Sequence, residues 1–345
     1  MSIVAFHSPA SALHNAPTFF RHGRLVPHPE TSLRYTTLLE ALSGDGVETR
    51  IAGDFGTGPA LDVHDPKYVE FLSTAWARRR EANSDDGDLI ATQFPRRGME
   101  ATPTGLQGLL GVHLCDTSTS VRHDTWQAVL GSAHAAVAAT DFAMAGGGVA
   151  YALCRPPGHH AYAGYAGGFC YLNNAAIAAE RARKTLQKNV AVLDIDVHHG
   201  NGTQGIFYAR SDVLTVSVHA DPSDYFPHYS GYADEDGVDA GRGFNLNLPL
   251  APGSADADWL ATVRRGFDRV AQYRPAALVV ALGLDASEDD PIGARAVTTE
   301  GFAAAGAIIG RFPGPIVLVQ EGGYVSPVLG TNLVAVLKGV ESTRS

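Results

Sequence analysis

Residues 190–207 read VAVLDIDVHHGNGTQGIF, and this stretch restricts the fold more than any other. An apolar run of strand type breaks into a polar, glycine-rich loop. A short apolar run bounded by turn residues is the pattern of a strand buried on both faces, as in a parallel sheet covered by helices. Along a strand, residues i, i+2 and i+4 share a face. Asp194, Asp196 and His198 are therefore expected to point together at the strand's C-terminal end, where open α/β sheets bind ligands. Two carboxylates and an imidazole, with no basic residue in the run, are costly to bury without a cation. Asp and His are ordinary Zn2+ ligands. The plainer alternative is a strand end whose polar residues are solvated. His199 alternates to the other side and is expected to be a packed, hydrogen-bonded histidine rather than a ligand.

The rest of the chain supports one α/β domain over residues 1–345. Of the 345 residues, 45% are hydrophobic, enough for one large core. There is no internal repeat and no Pro/Ser-rich linker. No apolar run reaches the ~18 residues of a membrane helix, and the N-terminus lacks the pattern of a signal peptide. Cys115, Cys154 and Cys170 are odd in number and form no CxxC, so reduced thiols and a cytoplasmic location are expected. A formal net charge of −10 disfavours nucleic acid as a partner and favours a cationic small molecule through long-range steering.

Strands are expected at Ile3–Phe6, Val149–Leu153, Val213–Val218, Phe244–Leu248, Ala277–Leu282 and Ile316–Val319. Helices are expected at Glu30–Leu42, Tyr68–Arg80, Trp126–Met144, Asn173–Lys188, Ala255–Tyr273, Thr299–Gly310 and Pro327–Val340. The alternation predicts a mostly parallel sheet sandwiched by helices. Ser8–His28 reads as a loop. Asn83–His123 reads as an irregular insert, rich in Asp, Gly, Thr, Ser and Pro. Such a segment inside a compact domain is usually functional or mobile.

Two further stretches share the look of the first, LCRPPGHHAYAGYAGGFCYLNN at 153–174 and ALVVALGLD at 277–285, and EGGY stands at 321–324 near the C-terminus. RPPGHH, GFCYLNNAAIAA, DIDVHHGNGTQ and EGGY, in that order, resemble the arginase/deacetylase superfamily. Within it the likeness is to the bacterial acetylpolyamine amidohydrolases and histone-deacetylase-like amidohydrolases, and it runs from about Ser2 to Val340.

The resemblance implies the arginase/deacetylase fold and zinc-dependent hydrolysis of an N-acyl amide, with a small acylated amine as the substrate. A deacylase of acetyl-lysine in proteins and an amidase for a neutral acyl-amide stay open. A catalytic zinc has three protein ligands and one open position. Asp196 and His198 supply two, and Asp285 fits as the third by position and by likeness. A two-metal site would need a second Asp where Ser287 stands, so one metal is expected; Fe2+ in place of Zn2+ stays open.

The likeness implies His160 as general base, His159 as its electrostatic partner and Tyr324 as the electrophile that donates to the carbonyl oxygen. Asp194 and Asn201 match the groups behind His159 and His160. Because Asn cannot stabilise an imidazolium as a carboxylate does, His160 is expected to have the lower pKa of the pair. Gly167, Gly168, Phe169 and Phe226 match a substrate tunnel, with Ile292 a candidate third wall. Asp194 and Ser217 match a structural K+ site. The insert matches a segment that helps such enzymes form dimers and narrows the active-site mouth, so a homodimer or higher homo-oligomer is expected. The likeness weakens at the mouth: Phe19, Gln107 and Ser118 fall where the best-known polyamine enzymes carry acids. Glu100, Asp116, Glu288 and Asp289 are the nearby acids expected as substitutes.

Overall fold

The computed structural model describes residues 2–21, 23–83, 87–99, 101–294 and 296–344. Its main sheet contains β1 (Val4–His7), β4 (Glu48–Ile51), β5 (Val149–Leu153), β6 (Val190–Asp194), β7 (Val213–Ala220), β8 (Asn245–Leu250), β9 (Leu278–Leu282) and β10 (Ile316–Gln320). A separate hairpin pairs β2 (Thr18–Arg21) with β3 (Arg24–Pro27). The order across the main sheet is β4-β1-β5-β10-β9-β6-β7-β8, and every pairing is parallel.

Helices cover both faces, so the central strands are apolar up to their last residues, Asp194 in β6 and Gln320 in β10, and split by alternation. Val190 and Val192 join one core with Val279, Ala281, Val317 and Val319. Ala191 and Leu193 join the other with Leu278, Val280, Ile316 and Leu318. Parallel pairing sends all C-terminal ends to one edge. There the loops after β5, β10, β9 and β6, four adjacent strands, carry residues 155–160, 321–324, 283–285 and 195–200.

Several expectations need correction. The Ser8–His28 loop contains the β2–β3 hairpin, whose Phe19 is buried while its neighbours are exposed. The insert is not wholly irregular: Leu106–His113 is a helix burying Leu106, Leu110 and His113, a spacing of four and three visible in the sequence. β4 was missed because this edge strand is largely exposed and lacks an apolar run. Asn201–Phe207 forms a short helix within the polar loop. The helix expected to reach Arg80 runs only from Pro66 to Thr74, because the Arg-rich end buries nothing. One helix, Thr125–Gly147, is by length and apolarity able to cross a membrane, where no such run was expected. It packs on β1, β5 and the helix Asn174–Leu186, so its apolarity is that of a core helix.

Candidate active site

The strand of the 190–207 stretch stops at Asp194, so simple alternation does not place His198. The loop is instead stepped by its own carboxylates. Asp194 Oδ1 accepts from the Asp196 N–H at 3.0 Å, and Asp196 Oδ1 accepts from the His198 N–H at 2.9 Å. Asp194 turns toward His159, accepting from Nδ1 at 2.9 Å, while Asp196 and His198 converge with Asp285. His198 Nδ1 lies 3.0 Å from Asp196 Oδ1 and 3.1 Å from Asp285 Oδ2.

The chemistry of this donor set fits one divalent cation. Ligand atoms of Asp196, His198 and Asp285 lie within 4.8 Å of one another, and both carboxylates are fully buried. Among the described residues, no Lys or Arg forms an ion pair with either. The backbone also leaves room: a Cβ at Gly322 would come within 2.1 Å of Asp285 Oδ2 and 2.6 Å of Asp196 Oδ2. Asp196 Oδ2 and Asp285 Oδ1 are held by the backbone N–H groups of Gly322 and Val197. A second group, His159, Cys170 and Glu321, also falls within 4.8 Å. There one Glu321 oxygen accepts from Gly158 and His159 N–H, His159 Nδ1 is paired with Asp194, and burial pushes the Cys170 thiol up, so it suits a cation less well.

The two histidines stand side by side, ring centroids 4.0 Å apart. Burial opposes charge on His159, but the carboxylates of Asp196 and Asp194 outweigh it and push its pKa up to about 10. Burial, and then the neighbouring His159 and His198, push His160 well below the usual histidine range. His160 Nδ1 meets Asn201 Oδ1 at 2.7 Å. An amide oxygen can only accept, so Nδ1 carries the hydrogen and Nε2 is the free base.

Tyr324 lines the same cavity, and burial pushes its hydroxyl well above the usual tyrosine value, which keeps it a donor at neutral pH. Its backbone N–H donates to Asp290 Oδ2 at 2.8 Å, and Asp290 Oδ1 accepts from Ile292 at 2.9 Å. The Arg34 guanidinium lies 4.9 Å from the Tyr324 ring and donates to the carbonyls of Glu321 and Gly323. Asp290 and Arg34 thus hold the turn bearing Tyr324. Neither residue was expected at the site from the sequence. Arg34 sits in a helix where charge normally means solvent, and the one available hint was its i, i+4 spacing from Glu30, its buried partner. Asp290 lies among neighbouring acids that looked equivalent.

The cavity has a volume of about 390 Å3. His159, His160, Tyr324, Gly168, Phe169, Phe226 and Ile292 all line it, together with Asp196, His198 and Asp285. Phe226 stands edge-on to His160 at 4.9 Å, and Phe169 stands edge-on to Phe19 at 5.4 Å. Gly168, at φ +56°, lies so close to His160 that a Cβ would meet the ring at 2.4 Å. Gly167 sits beside Cys115 instead. His199 packs at 4.6 Å from His219 and bonds Gln204, away from the cavity.

Asp194 and Ser217, the residues of the expected K+ site, stand opposite each other in register on β6 and β7. Asp194 holds His159 and the Asp196 N–H, and Ser217 Oγ is 2.8 Å from His219 Nδ1. At the mouth, Phe19 and Ser118 line the cavity, whereas Gln107 bonds Thr92 elsewhere. Of the acids named as replacements, Asp116 lines the cavity, Glu288 and Asp289 do not, and Glu100 lies outside the described residues.

The histone deacetylase domain matches residues 28–340. The chain belongs to the histone deacetylase domain family. It is 41% identical to acetylpolyamine amidohydrolase 1 of Pseudomonas aeruginosa over 98% of this chain and 99% of that one. It is also 41% identical to the acetylpolyamine amidohydrolase of Mycoplana ramosa, covering 95% and 96% of the two. The crystal structure of the acetylpolyamine aminohydrolase from Burkholderia pseudomallei superposes over 100% of both chains with a TM-score of 0.95 at 40% identity. Members of this deacetylase family are amide hydrolases, and this chain is one of them in fold and in sequence.

Proposed function

We propose that this chain hydrolyses the N-acetyl amide of a small primary amine, of the kind its relatives are named for, acetylated polyamines and diamines. One observation carries the reading. A carboxylate–imidazole–carboxylate set, a histidine pair of opposed basicity and a tyrosine hydroxyl open onto one cavity walled by aromatic rings. Asp196, His198 and Asp285 would hold Zn2+, which supplies Lewis-acid polarisation of the amide carbonyl when bound.

The chain's own residues supply the rest. Phe169 and Phe226 grip the aliphatic part and leave the amide at the cavity floor. His160 Nε2 takes a proton from the attacking water, and Asn201 fixes the tautomer that makes this possible. His159, charged and anchored on Asp194, stabilises the negative charge that develops. Tyr324 donates to the carbonyl oxygen as it becomes an oxyanion. The His160 imidazolium then returns its proton to the departing nitrogen. The test is kcat/KM for acetylputrescine, acetylcadaverine, acetylspermidine, an acetyl-lysine peptide and a neutral acetamide of equal length. The reading predicts turnover of the small acylated amines in preference to the peptide; no hydrolysis of any small amide would end it.

A further inference from the structure

We infer that Glu321 is a positioning residue for the hydrolysis: one of its carboxylate oxygens sets the turn that carries both His159 and His160. The inference rests on the amide-hydrolase reading above and deepens it. Glu321 directly follows β10 and is fully buried. It does not line the cavity, so it works from behind the histidine pair. Among the described residues, no Lys or Arg side chain forms an ion pair with it; Arg34 donates to its main-chain carbonyl instead. A carboxylate buried in this way is costly unless its hydrogen bonds are specific and strong.

The backbone of the turn supplies those bonds. Pro156 and Pro157 have no N–H, so Gly158 and His159 bring the first donors after Arg155. Both donate to Glu321 Oε2, at 2.6 and 3.0 Å. Among the described residues Oε1 has no partner, so gripping this turn is the whole of the side chain's bonding. The carbonyls are held from the other side. His159 O accepts from the N–H groups of Gly202 and Thr203 at 3.0 and 3.1 Å, and Gly158 O accepts from Ala161 at 2.9 Å. The turn has no room to slide, since a Cβ at Gly158 would strike the backbone of Asn174 and Leu172. It is therefore clamped between the short helix Asn201–Phe207 and Glu321. Bonds from N–H to a carboxylate are charge-assisted and short, which accounts for an acid where an apolar side chain would otherwise pack. Both imidazoles hang from this backbone, His159 reaching Asp194 and His160 reaching Asn201. Loosening it moves the base and its charged neighbour together, and a misplacement of about 1 Å is enough to cost about 10²-fold in rate.

The test compares Glu321→Gln, which keeps an acceptor oxygen at the same reach, with Glu321→Leu, which removes it. With the metal-loaded enzyme and acetylcadaverine, Glu321→Leu is expected to lose at least about 10²-fold in kcat at unchanged KM and unchanged metal content. Glu321→Gln is expected to stay within about fivefold of wild type, the difference between a charged and a neutral acceptor. Hydrogen exchange followed by mass spectrometry should show residues 157–161 protected in wild type and Glu321→Gln and opened in Glu321→Leu. Wild-type kcat in Glu321→Leu overturns the inference. So does a Glu321→Gln enzyme as slow as Glu321→Leu, because the charge and not the acceptor would then matter, and so does metal lost in step with kcat. Should Glu321→Leu not fold, exchange decides: wild-type Gly158 and His159 amides as labile as an exposed loop overturn the inference, and protection retained with kcat in Glu321→Gln upholds it. A folded wild-type enzyme that turns over no acetamide ends the hydrolase reading itself, whatever the variants do.

Discussion

At the scale of single residues, the division of labour between His159 and His160 follows from what lies behind each. A carboxylate behind His159 holds its proton; an amide behind His160 cannot. Asn201→Asp replaces the acceptor by a charge and favours the imidazolium. The acid limb of the kcat/KM–pH profile should therefore move to higher pH, since His160 must be neutral to act as base; an unmoved limb would contradict its role. Tyr324→Phe removes one oxyanion donor and is expected to cost about 10²–10³ in kcat. Metal content, measured by elemental analysis, should stay at the wild-type value, because the hydroxyl is not among the convergent ligand atoms. These residues were legible in the sequence because each sits in a short polar motif following an apolar strand. Arg34 and Asp290 were not, since a charge that holds backbone looks locally like one in solvent, the Glu30–Arg34 spacing being the single hint.

At the scale of elements, the site is an assembly of loop ends whose spacing depends on glycine. Gly322 lies where any Cβ would collide with oxygens of both Asp285 and Asp196. Gly322→Ala is expected to force those carboxylates apart, abolishing stoichiometric metal binding and costing about 1–3 kcal/mol of stability by overpacking. Elemental analysis and urea denaturation read the two effects separately. The central strands could be read from sequence because burial on both faces leaves them apolar over nearly their whole length. The β2–β3 hairpin and β4 could not, because their residues are largely exposed. The hairpin matters most for function, since it brings Phe19 and Arg21 to the cavity.

At the scale of the whole molecule, buried neutral histidines join distant segments and set a limit at acid pH. His64 Nε2 accepts from the Asn173 N–H at 2.9 Å, and burial pushes its pKa down to about 4; burial likewise pushes His14 down to about 3. The unfolded chain takes up these protons near the ordinary histidine value, before the folded one does. Stability is thus fully present above about pH 6.5 and lost as pH falls from there toward 4. Urea midpoints should drop across this window, and His64→Gln should flatten the drop; a pH-independent midpoint would contradict it. The centre itself draws on loops after adjacent strands of the sheet, and its chemistry depends on their gripping one cation. The direct measurement is to strip the protein with a chelator and titrate Zn2+ back, following bound metal by elemental analysis and hydrolysis of an acetylated amine together. Activity should return in step with one tightly bound equivalent per chain, and Asp285→Asn should neither retain that equivalent nor regain turnover. Full turnover by the stripped protein, or by Asp285→Asn without metal, would contradict the account.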